Sequence, residues 1–288
     1  MSLFRKKPKS QADRLAAFRL DSIPSRDFTS ELGDLLAELD LDVQREKTAF
    51  IATVGGRLLF LFWNDDDKVL SGWTELDDTR DAAELTTLLR RNLDPWPLWF
   101  ALGDADEDSL GARFKLPFDA FDRAAALLGI ETAAGLLGDD AVVDRARSLR
   151  GGPAGEMEEQ QVNARTRVAL AAAFETLELA AAERDGIWEV ETDRGTVQAI
   201  PRDTGESVLF MHELTYAEGT EDVAMLRWLL VASDWSGARL GLADLPGGDG
   251  AFAACAVPAL DLQPQAVAYA LEQVLRLADD YDVKTGRA

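Results

Sequence analysis

The sequence predicts an α+β protein made of two tandem repeats, each an antiparallel, twisted, five-stranded sheet with helices packed on it in the order α-β-β-β-α-β-β-α. Three observations predict it. From Asp185 to Asp282, three short alternating segments precede a helix, two further alternating segments and a closing helix, and much the same order runs from about Lys47 to Leu128. The shift between the two copies is nearly constant: first strands start at 48 and 187, middle helices at 79 and 220, and fourth strands at 98 and 238. Between the copies lies Arg150-Gly151-Gly152-Pro153-Ala154-Gly155, the plainest linker in the chain, because Gly and Pro interrupt both helices and strands. The expected division is a flexible basic tail (1–26), a first repeat (27–149), a Gly/Pro linker (150–157) and a second repeat (158–288).

The elements follow from local chemistry. In the tail, Ala12–Leu20 has only weak helical spacing through Leu15, Phe18 and Leu20, which reads as a frayed terminus. Leu32, Leu35, Leu36 and Leu39 form one apolar stripe on a helix capped by Thr29 or Ser30. Thr48–Val54 is rich in β-branched and aromatic residues, and Gly55-Gly56 accepts the positive φ values of a tight hairpin turn. Leu58–Trp63 is apolar at every position, so the strand is expected to be covered on both faces. Val69–Glu75 is the third strand. Asp78 or Thr79 caps a helix reaching Leu93, which Asp94-Pro95-Trp96-Pro97 stops. Leu98–Leu102 and Gly111–Leu116 flank an acidic loop, Pro117 opens a closing helix, and Thr132 to about Leu149 adds a further helical segment.

The second copy opens with an alanine-rich helix, about Glu158–Ala182. Strands follow at Ile187–Thr192, Thr196–Pro201 and Ser207–Leu214. Trp188 and Val190 share one strand face, and Glu189 and Glu191 the other. A helix capped by Thr220 carries Val223, Leu226, Leu229 and Leu230. Ala238–Ala243 and Ala251–Val257 are strands four and five, and Gln263–Asp280 is the closing helix.

Composition narrows function. The chain has 288 residues, 47% of them hydrophobic, so it can bury real cores. Its formal net charge of −22 argues against nucleic acid, whose phosphates require a basic face. The same acidity keeps a protein soluble and suits a basic partner. No apolar run approaches a membrane span, and Arg5, Lys6, Lys7 and Lys9 are followed by no apolar signal core. The expectation is a cytoplasmic protein without stable membrane insertion.

Nothing in the sequence carries a catalytic signature. One cysteine, Cys255, excludes an internal disulfide and reads as a small core residue. One histidine, His212, excludes the usual His-rich zinc sites, and strand alternation puts it on the opposite face from Glu213. Asp104, Asp106 and Asp108 have the spacing of a calcium loop, but Ser109 and Lys115 stand where Gly and a bidentate Glu are required. Gly247-Gly248-Asp249-Gly250 joins two strands and opens no helix, so it makes no phosphate cradle. Neither a catalytic residue nor a metal or other cofactor is expected. Of seven tryptophans, Trp96, between two prolines, and Trp235, at a helix end, are the candidates for a partner-binding surface.

The Gly55-Gly56 hairpin, the Trp188 strand and the capped middle helices Asp78–Leu93 and Thr220–Asp234 resemble the type III secretion chaperone-like fold, which includes the Tir chaperone and YbjN families. The resemblance covers most of the chain outside tail and linker, and it rests on element order and hydrophobic pattern. It implies helices on a twisted antiparallel sheet, no enzymatic activity, and a chaperone or adaptor that captures a segment of a protein or peptide client. Its YbjN-like branch implies instead a regulatory or stress-related scaffold without a secreted client. Two units in tandem depart from both families. The duplication either builds the family's dimer inside one polypeptide or leaves two units that never pack.

Overall fold

The computed structural model describes residues 10–22, 28–47, 49–64, 68–76, 81–94, 98–102, 109–117, 122–151, 156–202, 207–214, 223–235, 237–245, 248–259 and 262–285. The expected caps at Asp78, Thr79 and Thr220, the acidic loop with Asp104, Asp106 and Asp108, and Gly152–Gly155 lie outside them.

Among the described residues, two antiparallel sheets and eight helices make an α+β protein of two sheet–helix units. In the first unit α2 (Thr29–Glu38) is followed by β1 (Val43–Glu46), β2 (Ala49–Val54), β3 (Arg57–Asn64), β4 (Val69–Glu75), α3 (Ala82–Arg91), β5 (Leu98–Leu102), β6 (Leu110–Pro117) and α4 (Arg123–Leu136). In the second, α6 (Glu156–Thr176) is followed by β7 (Ala181–Arg184), β8 (Ile187–Thr192), β9 (Gly195–Pro201), β10 (Ser207–Leu214), α7 (Val223–Trp235), β11 (Arg239–Leu245), β12 (Gly248–Pro258) and α8 (Pro264–Thr285). The strand orders β1-β2-β3-β4-β6-β5 and β7-β8-β9-β10-β12-β11 are the same path walked twice. Two more helices, α1 (Gln11–Ser22) and α5 (Asp140–Arg150), each stand ahead of a unit.

Each sheet has six strands where five were expected. The added edge strands, Val43–Glu46 and Ala181–Arg184, are short, polar and mostly exposed. Each returns into its neighbour through a residue in the left-handed region, Lys47 (φ 52°) and Asp185 (φ 52°). The Gly55-Gly56 turn has φ of 56° and 76°, the positive pair a primed hairpin turn needs.

One face of the first sheet, with Phe50, Ala52, Leu59, Leu61, Leu70, Phe114 and Leu116 buried, packs beneath α4, and Phe50 meets α2 at Gly33. Gly72 serves this face, because a Cβ there would lie 2.2 Å from the Phe114 ring. In the second unit α8 covers β10, β11 and β12. A single apolar cluster runs through both units.

The units pack through reciprocal contacts. The middle helices α3 and α7 touch each other, α3 packs on β11, and α7 packs on β5. This is the isologous pattern of a twofold interface, held within one polypeptide. The two helix ends repeat the same polar solution. The Asn92 side chain accepts from the Phe100 amide (2.7 Å), and Ser233 Oγ accepts from the Leu240 amide (2.8 Å). The Ser233 carbonyl then accepts from Trp99 Nε1 (2.9 Å), and the Asn92 carbonyl accepts from Arg239 Nε across the interface. Asn92 Nδ2 adds a bond to the Leu240 carbonyl (3.0 Å).

Gln11–Ser22 corrects the expected flexible tail. It is a helix, opened by reciprocal bonds between Ser10 and Asp13, and it lies along α8 of the second unit. Its counterpart is α5, which lies along α4. The Gln11 amide donates to Asp193 in the β8–β9 turn (2.9 Å), and Asp139, the N-cap of α5, accepts from the Gly55 amide in the β2–β3 turn (2.9 Å). Eight residues further on in each helix, Arg19 pairs with the buried Glu272 of α8 (3.1 Å) and Arg147 with the buried Glu131 of α4 (2.7 Å). Glu131 and Glu272 are themselves matched positions, since Arg123 opens α4 and Pro264 opens α8 with the same spacing. The helix that leads each unit in sequence therefore clasps the closing helix of the other unit.

Candidate partner-binding surface

The first sheet has a second face, and its residues come from strand alternation. Register places Gln44, Ile51, Phe60, Trp73, Arg113 and Trp99 in one row across all six strands. On either side of that row stand Leu58 and Phe62 of β3. Phe60 and Trp73 stack with ring centroids 5.0 Å apart, and the Arg113 guanidinium lies 5.7 Å over the Trp73 ring. Gly111 makes room for this arrangement, because a Cβ there would lie 2.3 Å from Trp73 Nε1.

Among the described residues the row is covered at one end only. Trp99 is 1% exposed beneath α7, whereas Ile51, Phe60 and Trp73 are half-buried and Leu58 and Phe62 are 51% and 39% exposed. The expectation that Leu58–Trp63 is covered on both faces is thus corrected. Leu59, Leu61 and Trp63 enter the core, while the alternate residues face outward.

The matching row of the second sheet is Ala182, Glu189, Gln198, Met211, Ala254 and Arg239. Its first strands are polar. Its small apolar cluster of Leu209, Ala254 and Ala256 is packed by Leu93, which follows α3. The open apolar face therefore belongs to the first unit.

Of the two tryptophans singled out in the sequence, Trp96 lies outside the described residues. Trp235 is the last residue of α7, and its side chain likewise lies outside what is described. The exposed pair Leu58 and Phe62 was missed because an unbroken apolar run hides which residues alternate outward.

The residues screened for chemistry take structural places. Cys255 is 1% exposed, donates to the Gly237 carbonyl (3.4 Å), and burial pushes its pKa up to about 12, away from the reactive thiolate. His212 Nδ1 lies 3.0 Å from the Thr196 carbonyl. Among the described residues no three His, Cys, Asp or Glu side chains gather as a metal site, and no helix is long and apolar enough to cross a membrane.

No known protein family, curated protein or solved structure matches the chain.

Proposed function

We propose that the protein is a non-enzymatic binding module of chaperone or adaptor type, and that the open face of its first sheet captures a segment of a protein partner. The observation that carries this reading is the half-covered row Ile51–Phe60–Trp73 with Leu58 and Phe62 beside it. An exposed apolar patch with aromatic anchors is the usual mark of a protein-interaction surface. The net charge of −22 keeps such a patch in solution and draws a cationic partner. The tandem arrangement supports kinship in design with chaperone-like dimers, since the two units meet through matched helices and strands.

The test is a paired pull-down from the native host, using tagged wild type and a Leu58→Ser/Phe62→Ser variant. The reading expects a dominant partner that the variant loses and that binds the purified wild type directly. If both eluates are the same, the capture reading falls, and a YbjN-like regulatory scaffold takes its place.

A further inference from the structure

We infer that the occupant of this face is a single amphipathic helix of a cationic partner, lying beside α7; the inference rests on the capture reading above. Continuity with α7 is the first argument. The row that begins at Ile51 ends at Trp99, and there the chain has already laid a helix on it. Packed helices lie about 8–10 Å apart, roughly two strand spacings of about 4.8 Å. A helix beside α7, which sits on β5, therefore has its axis over β4, with Trp73 beneath it and Phe60 and Phe62 of the neighbouring β3 along its far side.

The sheet edges argue against an added strand. The free edge of the first sheet is β1, four residues long and exposed at Gln44, Arg45 and Glu46, a charged edge that discourages strand addition. On the opposite edge, β5, the Phe100 amide and carbonyl are already bonded to the Asn92 side chain.

Charge argues against a second copy of the chain. Two bodies each carrying −22 repel, whereas a helix with lysine or arginine on its outward side is attracted. Locally the face carries two cations of its own, Arg113 and Lys115, at its β6 side, so the basic side of the helix is turned away from them and its attraction is to the acidic body as a whole. Because the second sheet places Glu189 and Gln198 where the first has Ile51 and Phe60, one helix binds per chain.

Three synthetic peptides of about 18 residues, long enough to form helix, test the inference. All have the same leucine and lysine content. One has leucine at helical spacing, one alternates leucine and lysine, and one has no period. Binding to the full chain is followed by fluorescence anisotropy at about 0.15 M salt, where loose charge attraction is screened. The helical-period peptide is expected to bind one per chain and about tenfold tighter than the other two. Leu58→Ser/Phe62→Ser, which leaves net charge unchanged, is expected to abolish that tenfold; Phe60→Gln, which copies Gln198 of the second sheet, is the second variant should the double one misfold.

Equal binding of all three peptides to wild type and variant would overturn both the helix inference and the capture reading. Tighter binding of the alternating peptide, lost in the variant, would overturn the helix but leave capture standing. A dimer in sedimentation that the variant dissociates would show that a second copy covers the face, and would overturn the inference.

Discussion

Trp99 and Arg239 hold the same position in the two sheets, each on the outermost strand of the last hairpin, and they meet where the units touch, with the Arg239 guanidinium 6.0 Å from the indole centroid. Each donates to the carbonyl that ends the other unit's middle helix, Trp99 to Ser233 and Arg239 to Asn92. An indole and a guanidinium thus solve one problem in two ways: both cap a buried helix C-terminus whose last carbonyls have no partner in the helix. Burial lowers the Arg239 pKa to about 10, so the cation stays charged at neutral pH.

Arg239→Met is expected to strand the buried Asn92 carbonyl, at a cost of about 1–3 kcal/mol, and to release the part-buried Asp94 carbonyl to water. Calorimetry checks it. The wild type should melt as one cooperative unit, and the variant should melt earlier or in two steps.

Gly241→Val tests the same contact from the other side. A Cβ at Gly241 would lie 2.4 Å from Leu93 Cδ2 and 3.0 Å from the Leu89 carbonyl, so α3 must back away from β11. Overpacking of this kind costs about 1–3 kcal/mol. Denaturant unfolding reads the loss, and an unchanged midpoint would mean that the units do not pack as described.

Glu272→Ala should be more damaging than removal of both partners. It leaves the Arg19 guanidinium, 2% exposed, without its carboxylate, which costs about 3–5 kcal/mol. Arg19→Leu/Glu272→Leu should recover most of that loss, because an apolar pair of similar volume removes the desolvation penalty along with the attraction. A double-mutant cycle gives the coupling, and protease cleavage after Arg14, which every variant keeps in α1, reports whether α1 has left α8.

Cys255 sets part of the alkaline limit. Its pKa is raised on folding, from about 9 to about 12, so the folded chain keeps a proton that the unfolded chain loses. Its stabilising contribution is full below pH 9 and falls as pH rises toward 12, by at most about 1.4 kcal/mol per pH unit. Cys255→Ala should flatten that limb. Thiol reagents should react with the wild type only at the rate of unfolding.

Acid stability has the opposite sign at Glu38. Its hydrogen bond from Arg123 holds the carboxyl below its ordinary range, so the pair supports the fold at neutral pH and is lost as pH falls through the depressed value. Arg123→Gln should reduce the acid sensitivity of the melting temperature.

The repeat was legible because it is written in periodicity. Leu32, Leu35 and Leu36 mark a helix, and the alternation of Trp188, Glu189 and Val190 marks a strand, without help from distant residues. The sixth strand was not, because Ala181–Arg184 carries little β propensity and is held only by its ladder to β8. Helix α1 was unreadable for a related reason: Arg19 looks like a solvated charge until Glu272, 253 residues away, is beside it. The same holds for the site. Leu58 and Phe62 are outward residues in a run with no polar alternates, and only the register of β2, β3 and β4 separates them from Leu59 and Leu61. That α7 would cover Trp99 and stop short of Phe60 depends on the docking of the units, about which neither repeat says anything alone.

The crossed clasps also set an order of assembly. Helix α5 meets α4 as soon as a short loop closes, so the first clasp can latch early on a nascent chain. Helix α1 must wait for α8, through a loop of some 250 residues, and closing so long a loop is an entropic debt that local contacts do not relieve. The second latch therefore shuts last, and until it does the α8 surface around Glu272 stays wet. This step closes a longer loop than the contacts between the middle helices do, which makes it the natural slow phase of folding and the moment at which the α1 of a neighbouring chain can take its place.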